Sequence, residues 1–155
     1  MLQTDAIAPD FTALTHTGES FTLNAIKGKK VILFFYPKDD TPGCTAQACS
    51  LRDNYGALQK AGFEVIGISK DTEQKHLKYR TKYELPYKLI ADTDTLINQK
   101  YEVWAEKKFM GKTYMGTSRT TFILDELHII KQIITEVNTA KHGEQILDLI
   151  QSNNL

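Results

Sequence analysis

Three residues in one stretch of this chain are placed for chemistry: Thr41, Cys44 and Cys49. The chain has two cysteines in all, and both lie in Tyr36-Pro37-Lys38-Asp39-Asp40-Thr41-Pro42-Gly43-Cys44-Thr45-Ala46-Gln47-Ala48-Cys49. A cysteine reacts as its thiolate, so what surrounds the sulfur decides what it does. Thr41 suits the N-cap of a helix, and Pro42 its first position, where a missing N–H costs nothing. Cys44 then falls in the first turn. Free backbone N–H groups and the positive end of the helix dipole stabilise negative charge there. The Thr41 hydroxyl is placed to donate to that sulfur, or to an oxygen that the sulfur attacks. Taken alone, the same residues read equally well as a plain helix cap with a small apolar filler behind it.

Cys49 favours redox chemistry. Five positions along an intact helix put two Cα atoms about 8.6 Å apart, from the standard rise, radius and twist. A disulfide needs roughly 4.4–6.8 Å. The pair bridges only if the first turns unwind, which suits a bond made and broken in a cycle. The bland alternative is a helix cysteine that never meets Cys44. A metal centre fits poorly, because structural zinc and iron–sulfur clusters take four ligands. His16, His76, His128 and His142 show no ligand spacing with the cysteines and read as ordinary surface or turn residues. No cofactor is expected. A thioredoxin-type dithiol would be C-x-x-C, and here four residues intervene.

The elements that must position these groups are legible as apolar patterns. Phe11 to Leu14 and Ser20 to Leu23 flank Thr17-Gly18 as a hairpin. Val31 to Tyr36 is a continuous apolar run of the kind a buried central strand needs. A helix follows from Pro42, with Ala48, Leu51, Tyr55 and Leu58 at spacings of three and four, ending near Gly62. Phe63 to Ile68 is a second buried strand. Asp71-Thr72 caps a helix toward Tyr83, and Pro86 blocks its continuation. Leu89-Ile90 is a short strand, Asp92 to Tyr101 a short helix. Thr120 to Leu124 and Ile129 to Ile134 are strands joined by a turn at Asp125-Glu126, and Thr139 to Ile150 is a closing helix. This order predicts an α/β layer architecture with a mixed sheet, compatible with a thioredoxin-like fold.

The 155 residues fit one domain, 1–155. The 19 basic and 19 acidic residues cancel, which argues against nucleic acid and against a charged membrane surface. No apolar run approaches the ~18 residues of a membrane span. Met1-Leu2-Gln3-Thr4-Asp5 carries no export signal, which predicts a cytosolic protein. Asp39 and Asp40 read as solvated loop residues, since carboxylates beside Cys44 would oppose its thiolate.

The segment from Phe34 to Thr45 resembles the active site of the peroxiredoxins, whose P-x-x-x-T-x-x-C pattern is met by Pro37, Thr41 and Cys44. Ala48-Cys49-Ser50-Leu51-Arg52-Asp53 is similar to the bacterioferritin-comigratory, or PrxQ, subgroup. The likeness continues through Val65 to Ser69, Val103 to Lys107 and Phe109 to Gly116, and ends in Ser118 to Asp125. It implies a thioredoxin-like fold with an N-terminal β-hairpin and helices flanking a mixed central sheet. It implies that Cys44 is the peroxidatic cysteine and Cys49 the resolving one. Thr41 would bond the hydroperoxide, Pro37 would shield the oxidised sulfur, and Arg119 would support the developing charge. Without the resemblance, Arg119 would be a solvated strand-end arginine. The implied partners are a hydroperoxide and thioredoxin or a glutaredoxin-like reductant, acting on a monomer. Neither the Gly-Gly-Leu-Gly insertion nor the C-terminal Tyr-Phe extension of oxidation-sensitive members is present, which predicts fast disulfide formation.

Overall fold

The computed structural model describes residues 2–155. At its centre is β3 (Lys30–Phe35), the apolar run of the sequence. Alternate side chains leave a strand on opposite faces. Ile32, Phe34 and Tyr36 therefore enter one core, with Leu51, Leu58, Tyr87 and Ile146. Val31, Leu33 and Phe35 enter the other, with Ile66, Ile68, Tyr101 and Phe122. A strand buried on both faces has no polar alternation to show, which is why the run reads as unbroken.

The full order is β1 (Thr12–Thr15), β2 (Ser20–Thr22), β3, α1 (Pro42–Asp53), α2 (Tyr55–Lys60), β4 (Phe63–Ser69), α3 (Glu73–Lys82), β5 (Lys88–Ala91), α4 (Leu96–Lys100), β6 (Trp104–Phe109), β7 (Lys112–Thr117), β8 (Thr120–Leu124), β9 (Ile130–Ile134) and α5 (His142–Ser152). Seven strands form one mixed sheet in the order β2-β1-β5-β4-β3-β8-β9. β3, β4 and β5 pair parallel, while the β3–β8, β8–β9, β1–β5 and β1–β2 pairs are antiparallel. This is the expected mixed sheet with its N-terminal hairpin. Gly67 of β4 sits in register between Phe34 of β3 and Leu89 of β5: a Cβ there would come within 2.7 Å of the Phe34 ring and 2.8 Å of Leu89.

Several local expectations are corrected. The long helix after Cys44 breaks into α1 and α2 at Asn54, whose amide donates to the Ser50 carbonyl at 2.8 Å and to Glu144 of α5 at 2.8 Å. The closing helix starts at His142 rather than Thr139, because the Asn138 side chain accepts the Lys141 N–H at 3.1 Å and holds a turn. The helix expected from Asp92 begins at Leu96; the Asp92 carboxylate instead accepts the N–H groups of Ile97 and Asn98. The β6–β7 ribbon, paired from Trp104↔Thr117 to Phe109↔Lys112, was not anticipated.

The histidines are the largest correction. All four are buried, His76 and His142 completely. His76, His128 and His142 each meet a group from a distant part of the chain, which sequence spacing does not reveal. His142 opens α5 with Nδ1 2.8 Å from Gln145 Oε1 and Nε2 2.8 Å from the Thr121 hydroxyl. An amide oxygen only accepts, so Nδ1 carries the proton and Nε2 takes the hydroxyl hydrogen. Burial is the main cause that lowers His142 from the ordinary 6.5 to about 4, and it does the same to His16. The unfolded chain takes up protons near 6.5 while the folded chain refuses them until about 4, so stability falls as pH drops through that window. His142 contributes about 3 kcal/mol of that loss. The expected result is a falling urea midpoint from pH 7 to 4.5, shallower in His142→Asn; equal slopes in the two proteins would refute the assignment.

Candidate active site

Tyr36 follows the C-terminal end of β3, five residues turn, and α1 begins at Pro42. Thr41 occupies the N-cap with extended backbone (φ −100°, ψ 154°), and its carbonyl accepts the Thr45 N–H at 2.8 Å. Its hydroxyl caps no helix N–H and donates instead to the Lys38 carbonyl at 2.9 Å. The first turn thus keeps N–H groups that no threonine side chain consumes, as a site for negative charge requires.

Cys44 sits in this turn with 2% of its surface exposed. Arg119 arrives from the residue before β8, which pairs antiparallel with β3 and so begins beside the start of α1. Its Nη2 points at Cys44 Sγ at 3.4 Å, and its Nη1 donates to Gln47 Oε1 at 2.6 Å. Gln47 is completely buried and lies three residues beyond Cys44, on the same face of α1. It was missed in the sequence, where the only signal was that i, i+3 spacing.

Pro37 is half-buried in the loop between β3 and α1. Cys49 is half-buried in the same continuous helix as Cys44, and both thiols are free. The second half of α1 is anchored: Tyr87 donates to the Ala48 carbonyl at 2.7 Å, and Ser50 Oγ accepts the Gly143 N–H at 2.9 Å. The first turn is held by longer contacts, Arg119 to Cys44 at 3.4 Å and Tyr79 to Thr45 at 3.4 Å.

The surroundings differ from expectation at one point. Asp39 is buried rather than solvated, because Tyr36 donates to its Oδ1 at 2.6 Å and His76 lies 2.7 Å from its Oδ2. Burial, with Asp39 beside it, pushes the Tyr36 phenol well above its usual range, so it stays a donor. Phe35 packs into the core against Tyr101 and Phe122. Trp104 is half-buried at the base of the β6–β7 ribbon, with Lys70 5.9 Å from its ring centre. Lys107 of that ribbon is lowered by burial and by the nearby Arg119. Among the described residues, no three His, Cys, Asp or Glu side chains group so as to hold a metal ion.

A buried sulfur at a helix start, facing a fixed guanidinium, is equipped for nucleophilic attack with negative charge developing on the atoms attacked. The comparisons with known proteins agree with that chemistry. The model of the AhpC/TSA family matches residues 4–133. Peroxiredoxin Bcp of Escherichia coli K12 is 39% identical over 152 residues, covering 98% of this chain and 97% of that protein. Peroxiredoxin Bcp of Bacillus subtilis is 41% identical over 145 residues, covering 94% of this chain and 90% of that one. A structure of the Xanthomonas campestris bacterioferritin comigratory protein, from a study of its alkyl peroxide reduction, superposes with a TM-score of 0.89. It is 28% identical and covers 100% of this chain and 99% of its own. With its thioredoxin-like sheet, two cysteines and near full-length likeness, the chain belongs to the AhpC/TSA family, where it is a thiol peroxidase of the bacterioferritin-comigratory, PrxQ branch.

Proposed function

We propose that Cys44 is the peroxidatic cysteine, and the observation that carries this is Arg119 Nη2 at 3.4 Å from its sulfur. The Cys44 thiolate attacks the nearer oxygen of a hydroperoxide. The S–O bond forms as the O–O bond breaks, the leaving oxygen takes a proton, and water or an alcohol departs from a sulfenic acid. Arg119 stabilises the charge as it moves from sulfur to oxygen, and Gln47 fixes the guanidinium in that direction. The Thr41 hydroxyl turns from the Lys38 carbonyl to the bound peroxide. Pro37 covers the sulfenate. Cys49 then attacks the Cys44 sulfur, water leaves, and an intramolecular disulfide forms. Thioredoxin, or a glutaredoxin-like donor, returns two electrons to it.

No cofactor takes part in this sequence. One domain, 1–155, suffices, and a disulfide within one chain lets a monomer act. We place this monomer in the cytosol, where thiol reductants are available. No helix among the described residues is long and apolar enough to cross a membrane, which is compatible with that placement.

The test is a count of free thiols. Two per chain are expected before one equivalent of peroxide and none after it, with the disulfide mapped to Cys44–Cys49 by mass spectrometry. An unchanged count would refute the peroxidase reading for these residues.

A further inference from the structure

Two adjacent aspartates tie the loop before α1 to the rest of the molecule, and they do so in opposite ways. Asp39 is tied in the interior. Its N–H donates to Asp71 Oδ2 at 2.9 Å, its Oδ1 accepts from Tyr36 at 2.6 Å, and its Oδ2 meets His76 Nδ1 at 2.7 Å. His76 Nε2 faces the Ile90 carbonyl at 2.9 Å, and Ser69 donates to Asp71 Oδ2 at 2.6 Å. A carbonyl only accepts, so Nε2 carries a proton, and the Nδ1–Oδ2 bond is closed by one more. Every side chain in this set is buried.

Asp40 is tied at the surface. Its carboxylate accepts from the Tyr83 hydroxyl at 2.7 Å and from Lys82 Nζ at 2.8 Å, all three groups being reachable by water. Its backbone is left-handed, with φ +59°, a conformation unfavourable for a residue with a Cβ. His76, Tyr79 and Tyr83 follow at spacings of three and four, so one face of α3 runs along the loop and the first turn of α1.

We propose that Asp39, clasped by His76, is the fixed pivot about which the start of α1 unwinds, and that Asp40, held by Tyr83 and Lys82, is the latch that keeps it wound. The proposal rests on the reading that Cys44 and Cys49 form a disulfide, which their helical separation forbids until the first turns open. Surface bonds exchange with water at little cost, whereas breaking the Asp39 set strands polar groups in the interior. When Asp40 lets go, its backbone relaxes out of the left-handed region. On the far side, Tyr87 on Ala48 and Ser50 on Gly143 hold the rest of α1. The mobile stretch is thereby bounded between Asp40 and Gln47. It contains Cys44 and stops short of Cys49, so the peroxidatic sulfur travels and the resolving one waits. His76 is on this account a positioning residue that acts through Asp39.

The experiment is single-turnover quench with mass spectrometry, following sulfenic acid and disulfide separately. Wild type must first form the disulfide with one equivalent of peroxide; if it does not, the parent reading fails before any variant is compared. Tyr83→Phe and Asp40→Asn should speed disulfide formation about 3–10-fold. They should lower the sulfinic acid formed per turnover in proportion and leave the peroxide rate constant within about twofold. His76→Asn should do the reverse, slowing reaction with peroxide about tenfold without speeding the disulfide. Should His76→Asn fail to fold, Asp39→Asn, which keeps the shape and the Tyr36 bond, is read in its place. Latch variants with an unchanged or slower disulfide step would overturn the latch. A folded pivot variant with the wild-type peroxide rate would overturn the pivot.

Discussion

Cys44→Ser is expected to bring thioredoxin-coupled peroxide consumption down by more than about 10⁴-fold, to the background rate. A cysteine supplies a thiolate near neutral pH; a serine hydroxyl in the same place has no partner base to make it a nucleophile. Arg119 cannot be that base, since a guanidinium only donates. The substitution is nearly isosteric in a site that is 2% exposed, so the fold should survive and the loss can be read as chemistry. Cys49→Ser gives the contrast. It should consume one equivalent of peroxide per chain at close to the wild-type rate and then stall as the Cys44 sulfenic acid, which a thiol-reactive sulfenate probe would trap. Undiminished steady turnover in Cys44→Ser would refute the catalytic assignment. A sustained cycle in Cys49→Ser would refute the intramolecular disulfide and leave Cys44 in place.

The parts of this site that were legible in the sequence are those encoded locally. Thr41, Pro42 and Cys44 announce a helix start through side chains that each act within one turn, and α1 does start at Pro42. That a Cys44–Cys49 disulfide would require α1 to unwind follows from the five-residue spacing and helix geometry alone. Arg119 was legible only through family likeness, because its role depends on β8 pairing antiparallel with β3, from Phe35↔Thr120 to Val31↔Leu124, far apart in sequence. Gln47 was invisible for the same reason: an amide on a helix reads as solvent-facing until its distant arginine is known.

The elements obey the same division. β3 and β4 were clear because strands buried on both faces are apolar throughout. The β6–β7 ribbon was not, because most of its residues face water and neither a period of two nor an apolar run marks it; Phe109 and Met110 at its tip are 67% and 87% exposed. The histidines misled for a related reason. A buried imidazole is satisfied by whichever groups the fold brings to it, the Asp39 carboxylate and Ile90 carbonyl for His76 and the Thr121 hydroxyl for His142, and none of these is near in sequence. Asp39 was misread with His76, since each explains the other's burial.

Arg119→Met is the second large effect, an expected loss of about 10²–10³ in the second-order rate constant with peroxide. The guanidinium faces the sulfur with one nitrogen and is braced by Gln47 with another, so its position is set before substrate arrives. During the displacement, charge leaves sulfur and spreads over two oxygens. A donor already aimed at that region needs no reorganisation as the charge moves. Methionine keeps much of the volume and removes the charge and both bonds. Arg119→Lys should fall between the two, because an ammonium is a point charge without the planar fork that spans Gln47 and Cys44 together. A neutral alkylating agent separates the two ways in which Arg119 could act. If its main effect is on the attacked oxygens, Arg119→Met will slow alkylation less than about tenfold while peroxide reduction falls by the full factor. If alkylation falls equally, Arg119 acts by holding the thiolate, and the transition-state role assigned to it is wrong. A peroxide rate constant within about threefold of wild type would remove Arg119 from the mechanism altogether.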